Sequence, residues 1–183
     1  MQGSAQKQIE EEWEHFQTVR HACGLPPDRG LYQFGRSEKL REPDIIFNGG
    51  DGQQGFELTE FCDTNLQKLT AKARFKRSSE GFSFKREIGT VPRILGRKFE
   101  ARKYTDRFPI DLICYWNARA LISDKEAVRQ IAAFLGAQEN RPFRKIWFVG
   151  LPGLYEFAPD GSVIKNYGHD LDQLMGQPVL HLY

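Results

Sequence analysis

Residues 43–61, Pro-Asp-Ile-Ile-Phe-Asn-Gly-Gly-Asp-Gly-Gln-Gln-Gly-Phe-Glu-Leu-Thr-Glu-Phe, constrain this chain more than any other stretch. Pro43 to Phe47 reads as a short strand that opens on an acid, Asp44. Gly55 to Phe61 alternates apolar and polar side chains, the pattern of a second strand. The Asn-Gly-Gly and Asp-Gly steps between them predict a tight, turn-rich connector. Adjacent strands joined in this way bring Asp44 and Glu57 side by side. Two close carboxylates repel unless a cation sits between them. A hard divalent ion, Mg²⁺ or Mn²⁺, favours such oxygens; a basic side chain or exposure to water would relieve the same repulsion.

The chain has 183 residues, is 40% hydrophobic and carries 14 Phe, 6 Tyr and 3 Trp, enough for one ordered domain over 1–183. Within it, 154–183 is expected to be a C-terminal hairpin and tail extension. No apolar run reaches transmembrane length and the N-terminus has no apolar signal-like core, so a soluble, cytoplasmic protein with no membrane partner is expected. Cys23, Cys62 and Cys114 are odd in number and lack metal-like spacing, which argues for buried thiols rather than a disulfide framework or a thiolate zinc site. His15, His21, His169 and His181 are scattered. No nucleophile elbow, phosphate-binding glycine loop or paired-His metal motif is present.

The net charge is only +2, but its distribution is uneven. From Lys68 to Arg107 there are thirteen Lys or Arg against four Asp or Glu, whereas residues 1–67 are acidic overall. An acidic segment beside a basic one suits a phosphodiester substrate. Uneven charge in an otherwise neutral protein would produce the same pattern.

An amphipathic helix is expected over 5–21, with Ala5, Ile9, Trp13, Phe16 and Val19 as its apolar stripe and Gly24, Pro26 and Pro27 ending it. Glu10 and Glu14, one turn apart, are its candidate contributions to a metal site. Leu31 to Phe34 is a weak strand. Residues 62–77 and 92–106 are expected to be helical, the second with Pro92 in its first turn and Arg93, Arg97, Lys98, Arg102 and Lys103 on a basic side. Phe108 to Trp116 reads as a buried strand in which Asp111 is a salt-bridged structural acid. Ser123 and Glu126 form a capping box before a helix that Gly136 can end. Residues 144–149 form a further strand, and 154–167 a hairpin. The expected class is α/β, a central mixed β-sheet flanked by helices.

The element order, with Pro43-Asp44 and Glu57-Leu58-Thr59 on neighbouring strands, resembles the PD-(D/E)XK, or restriction-endonuclease-like, nuclease superfamily from about residue 5 to 150. The resemblance implies that Asp44 and Glu57 bind one or two divalent ions. An acid from the first helix often joins them, Glu10 or Glu14 here. Thr59 stands where the family has Lys and cannot supply that charge; a lysine placed elsewhere, Lys98 or Lys103, could compensate.

The expected activity is metal-dependent hydrolysis of phosphodiester bonds in DNA, with RNA also open. Mg²⁺ or Mn²⁺ would lie on Asp44, Glu57 and the Leu58 carbonyl, with Gln54 or Thr59 orienting water. Arg93, Arg97, Lys98, Arg102 and Lys103 would hold the nucleic-acid backbone. A homodimer or an activating protein partner is compatible with the fold. Two alternatives stand beside it: a nuclease-like domain that, lacking the motif lysine, binds nucleic acid without cutting it, and a protein-interaction or inhibitor module of a mobile genetic element whose exposed aromatic residues bind a protein.

Overall fold

Gly50 and Asp51 form the two-residue loop of a hairpin in which Gly49 pairs with Gly52 and Ile45 with Phe56. Gly52 sits at φ +119°, a conformation that side chains disfavour, so glycine is required where the chain reverses. The computed structural model describes residues 2–35, 42–62, 90–100, 104, 107–116, 123–150 and 153–167, with backbone alone described at 2–6, 165 and 166.

Among the described residues, helix α1 (Gln2–Ala22) leads through a short 3₁₀ turn to strands β1 (Tyr32–Phe34), β2 (Ile45–Gly49) and β3 (Gly52–Phe61). Helix α2 (Thr90–Phe99), β4 (Ile110–Trp116), α3 (Asp124–Gly136), β5 (Ile146–Val149), β6 (Leu154–Phe157) and β7 (Val163–Asn166) follow. The strands form one mixed sheet in sequence order from β1 to β7. β3, β4 and β5 are parallel to one another, and each outer pair is antiparallel.

Two consecutive parallel connections of the same hand put their helices on one face of the sheet. Accordingly, α2 and α3 bury Val91, Leu95, Phe99, Ala127, Ile131 and Leu135 against Phe61, Leu112 and Phe148. Helix α1 covers the other face, with Phe16 and Val19 packed against Ile45, Phe56, Leu58 and Ile113. Covered on both sides, β4 is buried along its whole length, which explains its nearly unbroken apolar sequence.

Asp111, the exception in β4, is fully buried as a structural acid. Both of its oxygens accept from Arg144, at 2.9 Å each, and Oδ2 also accepts from Gln54 Nε2 at 3.1 Å. Gln54 is thereby turned away from the water-orienting role expected of it. Ser123 caps α3, its Oγ accepting from the Glu126 amide.

The second basic helix is shorter than its charge pattern suggested, running from Thr90 to Phe99 rather than from 92 to 106. Val91, Leu95 and Phe99 make up its buried stripe. The helix expected over 62–77 lies outside the described residues, apart from Cys62. The hairpin expected at 154–167 is present as β6 and β7, in the same sheet as the other strands. No helix among the described residues is long and apolar enough to cross a membrane. Cys23 and Cys114 are free thiols, and burial pushes the Cys23 pKa up to about 11, so neither thiol is activated.

Candidate functional site

Continuing the β2–β3 register one step past Ile45 and Phe56 sets Asp44 across from Glu57. Asp44 itself precedes β2. Its backbone carbonyl accepts the Gly35 amide at 2.8 Å on the β1 side, and on the other side its Oδ2 accepts the Leu58 amide at 2.7 Å, which anchors the carboxylate beside β3. The close approach depends on Gly55. A β-carbon there would fall 2.6 Å from Pro43 Cγ and 2.9 Å from Phe108 Cε2, which would push the segment before β2 away.

Glu57 projects from β3 toward the face covered by α2. There Lys98 Nζ donates to Glu57 Oε1 and, at 3.1 Å, to the Leu58 carbonyl oxygen. Tyr104 OH donates to the same Glu57 oxygen at 3.3 Å. Asp44, Glu57, the Leu58 carbonyl, Lys98 and Tyr104 therefore form one connected group. Its cation comes from a helix rather than from position 59.

The acids are held in an electrostatic environment that disfavours their charge. Burial pushes the Glu57 carboxyl up to about 7; Asp44 adds repulsion, and Lys98 with the Tyr104 hydroxyl offsets only part of the rise. Asp44 is raised for the same first reason, with Lys98 and the Leu58 amide opposing. The Tyr104 hydroxyl is pushed far above its ordinary range, first by burial and then by Glu57, so it remains a proton donor.

On the α1 side, Glu12 is the helix acid electrostatically linked to the group. Its pKa is raised chiefly by burial, and its charge interacts with those of Asp44 and Lys98. Glu10 and Glu14, the expected helix acids, are placed differently. The Glu10 carboxylate is bound by Arg29 at 2.9 and 3.2 Å, and Glu14 is exposed. The sequence did contain a signal for Glu12. It follows Ile9 by three positions and precedes Phe16 by four, a site where the apolar stripe calls for a hydrophobic residue. Tyr104 had no such signal, because it lies beyond the end of α2.

The other expected residues divide by position. Thr59 is buried on the same face of β3 as Glu57 and is opposite Cys114 in the register. Arg97 is exposed on α2 and Arg93 is half-buried. Lys98 turns into the acidic group. Arg102 and Lys103 lie outside the described residues.

Among the described residues, no three His, Cys, Asp or Glu side chains are grouped so as to hold a metal ion. The group offers two carboxylates and one backbone carbonyl instead. Such an all-oxygen donor set suits a hard cation that keeps several of its own waters, as Mg²⁺ does.

These features define an α/β domain with a mixed sheet and an acidic site bridged by a lysine. No protein-family model, curated protein or solved structure matches the chain.

Proposed function

We propose that the chain is a metal-dependent phosphodiesterase of the restriction-endonuclease-like class, acting on nucleic acid and in the first instance on DNA. The observation that carries this reading is the meeting of Lys98 with Glu57 and the Leu58 carbonyl beside Asp44. The charge missing at Thr59 is supplied from one turn of α2, at the end of the paired strands where the two acids sit.

Asp44, Glu57 and the Leu58 carbonyl would hold Mg²⁺ or Mn²⁺; α1 contributes the charge of Glu12, which interacts with those of Asp44 and Lys98, rather than a third ligating acid. A bound divalent ion supplies polarisation of a phosphate oxygen and acidification of a coordinated water. The chain's own part is to place charge and donors before the reaction begins. The Leu58 amide fixes the Asp44 carboxylate, and Tyr104 orients that of Glu57. Lys98 offers an ammonium to the negative charge that grows on phosphorus-bound oxygens, where a prepositioned donor is most effective. Arg97, exposed on the same helix, would hold the backbone of the substrate.

The test is a cleavage time course on labelled single- and double-stranded DNA and RNA with Mg²⁺, Mn²⁺ or EDTA. Wild type is compared with folded Asp44→Ala and Glu57→Ala. Metal-dependent cleavage lost in both variants supports the reading. A folded wild type that cuts none of the substrates with either metal overturns it, and salt-sensitive binding without cleavage would then favour a silent nucleic-acid-binding domain.

A further inference from the structure

We infer that Lys98 is the resident cation of this site in the metal-free chain, and that a divalent ion must displace its ammonium from the oxygens it would bind. The inference rests on the proposed metal site and adds a competition within it. Lys98 Nζ already donates to Glu57 Oε1 and to the Leu58 carbonyl, two of the three oxygens proposed as metal ligands. Its charge also bears on Asp44, the third, and on Glu12. A single ammonium therefore serves the whole acidic group.

Lysine is suited to such an exchange. Its ammonium is a compact point charge on a flexible four-carbon stem, without the fixed fork that would bind arginine to one geometry. The pair is also asymmetric in exposure. The Lys98 side chain is 27% accessible and that of Glu57 is 10% accessible, so the lysine is the partner with room to withdraw. Lys98 lies in the last turn of α2, where a positive charge is favourable whether or not it is paired. Once displaced, the ammonium is left beside the position of an incoming anion. The same side chain thus neutralises the acids before a metal binds and becomes available when substrate and metal are present.

Competition predicts that removing the ammonium strengthens metal binding, whereas a lysine that helps to build the metal site predicts the opposite. Mn²⁺ binding is measured by titration calorimetry on wild type, Lys98→Met and Asp44→Asn, with thermal unfolding in EDTA and in Mn²⁺. The expected result is Lys98→Met binding Mn²⁺ about tenfold tighter than wild type, the scale of an ordinary coupling between sites. Its melting temperature should be lower than that of wild type in EDTA and should rise more on adding Mn²⁺. Wild type silent with Lys98→Met binding would also support the exchange, in its strongest form. Equal or weaker binding by Lys98→Met, with wild type binding and Asp44→Asn not, overturns the exchange and leaves the metal site standing. No Mn²⁺ binding by either wild type or Lys98→Met at millimolar concentration overturns both. Should Lys98→Met not fold in EDTA, Lys98→Gln carries the same comparison, because it removes the charge and keeps hydrogen-bond donors.

Discussion

Lys98 and Glu57, 41 residues apart in sequence, form an ion pair that joins α2 to the centre of the sheet. The same ammonium reaches the Leu58 carbonyl, so helix and strand are tied at both a side chain and the backbone. Removing either partner has consequences for stability as well as for chemistry.

Asp44→Ala should lower metal-dependent cleavage by at least about 100-fold, because it removes a proposed ligand and the acceptor of the Leu58 amide. Circular dichroism should show the fold retained. Full activity in the folded variant would remove Asp44 from the mechanism.

The α1 acids separate by position. Glu12→Gln should reduce cleavage about tenfold. Glu10→Gln and Glu14→Gln should leave it unchanged, since Glu10 is engaged by Arg29 and Glu14 faces solvent. Loss of the exposed Glu10–Arg29 pair should cost under about 1 kcal/mol in urea unfolding. A larger activity loss in Glu10→Gln than in Glu12→Gln would reverse this assignment.

The pKa of Glu57 gives the metal-free protein a pH signature. Folding raises this carboxyl from its ordinary value of 4.5 to about 7, first through burial and then through Asp44. A raised carboxyl favours the folded state fully below its unfolded pKa, and that contribution disappears as pH rises through the folded one. Stability in EDTA should therefore fall between about pH 4.5 and 7, by on the order of 3 kcal/mol from this group. Asp44 shifts in the same direction, so Glu57→Gln should flatten the slope without abolishing it. Urea unfolding at intervals across that range checks the sign; identical slopes for wild type and Glu57→Gln would contradict it.

The Asp111 cluster should behave as structure. Arg144→Ala leaves a fully buried carboxylate without its bidentate partner and should cost about 3 kcal/mol, at the low end for a broken buried pair because Arg144 is itself 44% accessible. Cleavage per folded molecule should not change. A large drop in cleavage without loss of stability would place Asp111 in the functional site instead.

The amino-acid sequence by itself determined the strand pair and its turn. The turn-rich connector from Asn48 to Gly55 must reverse the chain, alternation marks the strand from Gly55, and Asp44 and Glu57 flank the connector. That both strands run on into it, leaving only Gly50 and Asp51 in the loop, was decided by the structure. The sequence also determined that β4 is a doubly covered strand with one structural acid, and that α1 is amphipathic. These features are local in periodicity, turn chemistry and composition, so they can be read without knowing what packs where. The helix acid was only half legible. Glu12 interrupts the apolar stripe, but a choice among four acids in five residues needs the rotation of α1 against the sheet. Tertiary structure alone decided that Lys98 reaches Glu57, that Tyr104 joins it, and that Gln54 serves Asp111. These contacts link residues 41, 47 and 57 positions apart in sequence. They depend on the side of the sheet to which the parallel connection carries α2 and on how that helix is rotated about its axis. Both follow from burying Val91, Leu95 and Phe99, and the charges are carried into place by that packing.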